Sequence, residues 1–252
     1  DKDNPGNVGK AMEMFPLAFF LNCADTEAAY IDEVKACIAT ASELHIPNVR
    51  VHALNPAEGE ADMEAIYNRL ATLLPVAEER DVTLLLETYG PFSDTAVLRE
   101  MLDRFASDWL GALWDMHHPY RDFDESADTT IKNLGAYVCH VHLRDSDDAD
   151  TYNLIGEGTL PIPGVMQALA SINYDGFISL EWDPDWMPEI ADMEIIFTQF
   201  AAGVARTVLH GSLQRLHRAG RSQKFQHSIL SVNYVCNYIN LLLMHNSSHK
   251  IW

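Results

Sequence analysis

Four segments with the composition of β-strands each end in a side chain able to bind a metal ion. LLLE ends in Glu87, GALWD in Asp115, AYVCHVH in His142 and GFISLE in Glu181. The spacings between these residues are 28, 27 and 39. Each is about one strand–helix unit, the last lengthened by the loop DSDDADTYNLIGEGTLP. A carboxylate at the end of an apolar run is costly to bury unless it meets a cation or a hydrogen-bond network. Taken singly, Glu87 and Glu181 read equally well as capping or salt-bridging residues, and Asp115 as a turn former. Taken in series, the four read as one site at the C-terminal rim of a (β/α) barrel, where strand ends converge. Three carboxylates and one imidazole make an oxygen-rich, hard-to-borderline donor set. It favours a divalent metal: Mn²⁺, Mg²⁺ or Co²⁺, with Zn²⁺ also accommodated.

The residues beside these four extend the chemistry. ALWDMHHPY places His118 three residues after Asp115, so both can face one pocket, with His118 on substrate or on a second metal; Pro119 ends the motif. In VCHVHLRD, period-2 alternation puts His140 and His142 on one face. His142 is nearer the rim, and His140 reads as a satisfied polar residue one layer deeper. Arg144 suits a hydroxyl or oxyanion of a substrate, and the neighbouring Asp145 offers the plainer alternative of an Arg–Asp surface pair. Trp182 and Trp186 in EWDPDW could wall a sugar pocket, although packing is the commoner use of Trp. Gly156-Glu157-Gly158 lacks the residues of a phosphate-binding fingerprint and reads as a flexible loop.

The elements that must position these groups alternate regularly. Strands are expected around 17–22, 48–54, 82–87, 110–115, 136–143 and 177–182. Between them lie helices such as DTEAAYIDEVKACIATASELHI, with apolar residues at Ala29, Ile31, Val34, Cys37, Ile38 and Ala41. Asp62 or Glu60 stands near the start of the second helix, and Ser93 or Asp94 caps the third. Gly135 closes a later one, and Pro163 falls in the first turn of another. Such alternation implies parallel strands with right-handed crossovers. The expected fold class is α/β, a (β/α)8 barrel with about six βα units visible and its first strands missing at the N-terminus. The alternative is an open doubly wound sheet. The barrel is preferred because ligands from consecutive strands converge more easily in a closed sheet.

Composition sets the remaining bounds. The chain has 252 residues, 48% hydrophobic, enough for a sizeable single core. No run is long and apolar enough for a membrane span, and DKDNPGNVGK does not read as a signal peptide. The scattered cysteines Cys23, Cys37, Cys139 and Cys236 form no CxxC and suit reduced thiols in a cytoplasmic protein. A formal charge of −20 disfavours nucleic acid as a partner. All 37 Asp and Glu lie at or before Glu194, after which six Lys/Arg and five His stand without an acid. The chain therefore divides into a barrel over 1–208 and a basic tail of uncertain origin over 209–252.

ETYG, LWDMHH, HVHLRD, GEG and YDGFISLEW, in this order, resemble the xylose isomerase-like TIM-barrel superfamily. Within it, the resemblance is closest to the sugar phosphate isomerase/epimerase family, and it runs from about Val8 to about Arg206. It implies that Glu87, Asp115, His142 and Glu181 are metal ligands, that His118 binds substrate, and that Arg144 occupies the family's Lys/Arg position. It further implies proton abstraction beside a carbonyl through a metal-stabilised enediolate, with Glu87 and Glu181 on opposite faces of the substrate. Return of the proton then gives epimerisation or isomerisation of a small carbohydrate, and loss of a β-hydroxyl gives an inosose-type dehydration. A truncated barrel that binds without turnover is the non-catalytic alternative. Endonuclease IV-like repair enzymes share the superfamily but need more histidines. Here none lies between His52 and His117, and no Asp-x-His pair follows the His142 strand. Oligomeric state stays open, a homo-oligomer included.

Overall fold

The computed structural model describes residues 17–19, 27–51, 62–182 and 194–204. Strands β1 (Leu17–Phe19), β2 (Asn48–Val51), β3 (Thr83–Glu87), β4 (Leu110–Asp115) and β5 (Val138–Leu143) are neighbours in that order. Two short strands, β6 (Asp145–Ser146) and β7 (Tyr152–Asn153), form a separate antiparallel pair. β8 (Ile178–Leu180) then joins β5, completing a six-stranded, wholly parallel sheet among the described residues. Each strand of this sheet lies inside a range expected from the sequence, whereas β6 and β7 fall outside those ranges. The intervening helices are α1 (Glu27–Glu43), α2 (Met63–Glu79), α3 (Thr95–Phe105), α4 (His117–Phe123), α5 (Ala127–Leu134) and α6 (Ile162–Ser171), with α7 over 194–204. The basic tail 209–252 and the segment before β1 lie outside the described residues.

The chain forms two compact units. Asp1–Leu143 with Ser171–Glu181 carries the six-stranded sheet and α1 to α5, whereas Arg144–Ala170 with Trp182–Trp252 carries β6, β7, most of α6 and α7. In the first unit the strands use their two faces differently. Val49 and Val51, Leu84 and Leu86, and Leu110 and Ala112 pack with Val34, Ile38 and Ala41 of α1, Leu70, Leu73 and Ala77 of α2, and Leu98 and Leu102 of α3. Burial of each such Leu or Ile contributes about 1.5–3 kcal/mol. Strand alternation sends the intervening residues to the opposite face. There the pairings Arg50↔Leu85, Glu87↔Leu113, Leu113↔His140, Asp115↔His142 and His142↔Ser179 align the polar groups.

The helix starts follow the capping chemistry of the sequence. Asp62 accepts from the N–H groups of Glu64 and Ala65, both at 3.1 Å. Asp94, rather than Ser93, caps α3 through the Ala96 N–H at 3.0 Å. Ser126 caps α5 through the Thr129 N–H at 3.3 Å. Each such cap is worth about 1 kcal/mol. Gly135 follows α5, and Pro163 is the second residue of α6, as expected.

A β-bulge aims the two histidines. Ala112 pairs with Val138, but the next residue, Leu113, pairs with His140, so Cys139 is an extra residue in β5. Val138 packs against the helix-side core. Strict alternation from Val138 would send His140 and His142 to that same apolar side. The bulge reverses the alternation and turns both toward the polar face. Gly111 makes room for it: a Cβ there would stand 2.5 Å from Cys139 Sγ and 3.2 Å from the Tyr137 carbonyl oxygen. Gly111→Ala is therefore expected to destabilise the protein by about 1–3 kcal/mol, as overpacking does. In denaturant titrations, the same substitution in a Cys139→Ala background should cost markedly less; an equal cost in both would refute the steric account.

Candidate metal centre

The four strand-end residues converge. Glu87 is the last residue of β3 and Asp115 the last of β4. His142 is the penultimate residue of β5, and Glu181 follows β8 with its N–H on the Leu143 carbonyl at 3.1 Å. One ligand atom from each lies within 4.8 Å of those of the other three. Glu87, Asp115 and His142 are buried, and the Glu181 side chain is about a quarter exposed at 26%.

Each carboxylate is oriented by its strand end. Asp115 Oδ1 accepts the His117 N–H at 2.8 Å, and the Asp115 carbonyl accepts the Thr88 hydroxyl at 2.9 Å. The first turn of α4 thus closes directly over Asp115. Pro119 belongs to that helix and does not end the motif, because an early helical position leaves little for its missing N–H to satisfy. The helix brings His118 Nε2 to 3.7 Å from Asp115 Oδ2, while His118 Nδ1 lies 2.7 Å from Asp122 Oδ2. Tyr89 meets the His118 ring edge-on at 4.7 Å between centroids. His117, His118 and Asp122 form a second group whose ligand atoms are mutually close.

Arg50, at the centre of β2, was not singled out by the sequence reading. Its Nη1 lies 2.9 Å from Glu87 Oε1, 3.4 Å from Glu181 Oε1 and 3.5 Å from His142 Nδ1. The available signal was a lone charge between two valines of an apolar strand, in the sequence VRV. His142 Nδ1 is also 3.3 Å from Glu87 Oε1 and 3.6 Å from Glu181 Oε2. Burial opposes a charge on the His142 ring, but the two carboxylates outweigh it and raise the imidazole to about 9. Burial likewise opposes ionisation of Glu87, yet His142 and Arg50 hold its carboxyl well below the usual range. His140 goes the other way. Burial, reinforced by His142 and Arg50, pushes it down to about 3, so it is neutral, with Nε2 at 2.8 Å from Ser179 Oγ. It sits, as expected from the sequence, as a satisfied polar residue one layer behind His142.

In the second unit, Arg144 and Asp145 are 5% and 1% exposed, which removes the surface-pair reading. The Arg144 guanidinium stacks over the Tyr152 ring, 5.3 Å from its centroid. Asp145 accepts four backbone N–H groups: Ser146 at 2.9 Å, Gly156 at 2.8 Å, Gly158 at 3.1 Å and Leu160 at 3.2 Å. The Gly156–Gly158 loop is therefore anchored, not flexible. A Cβ at Gly158 would collide with the Asp145 carboxylate, and Gly156 adopts φ 91°. Trp182 is half-buried, and Trp186 lies outside the described residues.

The family described as xylose isomerase-like TIM barrel matches residues 12–197. The fructoselysine 3-epimerase of Shigella flexneri is 26% identical over 185 residues, 69% of this chain and 66% of that protein. The chain spans between 42% and 66% of the length of the first curated relatives it matches. A solved L-ribulose 3-epimerase superposes with TM-score 0.63 at 16% identity, covering 86% of this chain and 84% of that one. The IOLI protein, solved with a binding zinc atom, gives 0.62 at 19% identity over 82% of both chains. No helix among the described residues is long and apolar enough to cross a membrane.

The ion pairs set a pH window for the metal-free protein. Glu87 is depressed, so its contribution is complete above the ordinary 4.5 and fades as pH falls below it. His142 is raised, so its contribution is complete below the ordinary 6.5 and fades as pH rises through about 9. Chelator-treated protein should thus gain most from this cluster between pH 4.5 and 6.5. Thermal melts should lose stability between pH 6.5 and 9, and His142→Gln should lose this alkaline limb. Identical profiles for the two proteins would contradict the pairing.

Proposed function

The chain belongs to the xylose isomerase-like TIM barrel family, and from that premise we propose that it is a divalent-metal-dependent isomerase or epimerase of a sugar or sugar derivative. One observation carries this reading: four buried or half-buried side chains from four strand ends bring their ligand atoms within 4.8 Å of one another. The epimerase relative and the epimerase of like fold support a carbohydrate substrate.

Three carboxylates and one imidazole fit an oxygen-preferring divalent ion, Mn²⁺ foremost. Glu87, Asp115, His142 and Glu181 would hold it, and a bound ion supplies Lewis acidity that makes the C–H beside a substrate carbonyl more acidic. Glu87 and Glu181 then divide the proton transfer. One carboxylate takes the proton from the carbon next to the carbonyl, and the other returns a proton from the opposite face. Return to the same carbon inverts it, and return to the neighbouring carbon exchanges aldose for ketose. Their surroundings differ in a way that suits two roles: Glu87 is shielded at 4% exposure, whereas Glu181 at 26% can exchange its proton with water. Asp115, with one oxygen committed to the His117 N–H, serves to bind and not to transfer. In this reading His118 positions a substrate hydroxyl from the rim.

Two measurements test the assignment. After purification in Mn²⁺, elemental analysis should find metal in the wild type and background levels in His142→Ala; equal content in both would sink the site. With a panel of ketoses and keto-derivatives and solvent deuterium uptake as the readout, Glu181→Gln should lose about a hundredfold or more of its turnover. Full activity in that variant would exclude Glu181 as a proton-transfer group.

A further inference from the structure

We propose that Arg50 is the resident counter-cation of the metal centre, holding Glu87 and Glu181 in their ligating positions before the ion arrives and matching the cluster's charge to that of a divalent ion once His142 is neutral. This rests on the metal site proposed above.

The geometry is specific. A single nitrogen, Arg50 Nη1, contacts Glu87 Oε1 at 2.9 Å, Glu181 Oε1 at 3.4 Å and His142 Nδ1 at 3.5 Å, three of the four candidate ligands. Arg50 is 7% exposed, Glu87 4% and Asp115 0%, so solvent screens these charges little. Arg50 also cannot drift. Its strand pairs on both sides, with Ala18↔Arg50 in β1 and Arg50↔Leu85 in β3, and Val49 and Val51 fix the opposite face in the core.

Charge balance explains why a cation belongs there. The buried carboxylates of Glu87 and Asp115 and the partly exposed one of Glu181 would repel one another in the absence of a cation. With His142 neutral, as a metal ligand must be, one guanidinium leaves the cluster with a net charge of minus two, which a divalent ion neutralises. Without the guanidinium, the loaded site would keep an uncompensated negative charge in a buried setting, which is strongly unfavourable. A guanidinium suits the task better than an ammonium. It is permanently charged, less strongly hydrated and able to donate to several acceptors at once. In the metal-free chain Arg50 therefore substitutes in part for the ion, and on loading it remains as the balancing charge beside Glu87.

The test uses the full chain, treated with chelator and then titrated with Mn²⁺, followed by calorimetric melting and by isothermal titration. Arg50→Met keeps the length of the stem and removes the charge. It should lower the melting temperature of the metal-free protein, enlarge the Mn²⁺-induced rise above that of the wild type, and tighten Mn²⁺ binding by about tenfold or more, since the site becomes more negative. Arg50→Lys should bring the Mn²⁺-induced rise back toward the wild-type value. If Arg50→Met destabilises the metal-free chain too far to measure, adding Glu87→Gln should recover stability by restoring the balance. An Mn²⁺-induced rise and affinity equal in wild type and Arg50→Met would overturn the role of Arg50 and leave the metal site standing. No Mn²⁺ binding by the wild type would overturn the metal site itself, and this inference with it.

Discussion

Uncompensated charge cannot stay in a buried place, and this constraint organises the first unit. Its sheet carries Glu87, Asp115 and Glu181 on one face, with Arg50 and His142 at hydrogen-bonding or ion-pair distance from Glu87 and Glu181. Asp115 is locked by the start of α4, His140 is neutral against Ser179, and the parallel pairings hold the strand ends at fixed offsets. The opposite face packs Val49, Val51, Leu84, Leu86, Leu110 and Ala112 against the helices, and this apolar core supplies stabilisation that the charged face lacks.

Much of this was legible in the residues alone. All six strands of the parallel sheet were expected, and the four candidate ligand positions came from strand-end residue types and their spacing, because a parallel sheet leaves its C-terminal edge free for chemistry. Three things were not legible, for identifiable reasons. Arg50 is a single charge in a short strand, and only the pairing of β2 with β3 reveals that it points at Glu87. Asp145 sat in the acidic run DSDD, where nothing separates a buried acceptor of four N–H groups from its solvated neighbours. The helix α4 was hidden by Pro119, which looks like a stop signal but is acceptable in a first turn.

The second unit is organised by the same currency on a smaller scale. The Asp145 carboxylate gathers three N–H groups from the Gly156–Leu160 turn, which has no ladder of its own to satisfy them, and a fourth from Ser146 of β6. The pair of glycines in that turn then has a double cause: one adopts a left-handed backbone and the other leaves space for the carboxylate. Near the end of the described chain, Gly203 of α7 similarly lies against Ile155, where a side chain would intrude.

The bulge at Cys139 gives β5 a parity. Its two halves are out of phase by one residue, so the strand belongs to the apolar layer before the bulge and to the charged layer after it. A gain or loss of one residue between Tyr137 and His140 would leave composition, length and hydrophobicity almost untouched, yet would exchange the addresses of His142 and Leu143. For this chain, and for any relative built the same way, the meaning of a histidine in β5 lies in whether the count of residues before it is odd or even.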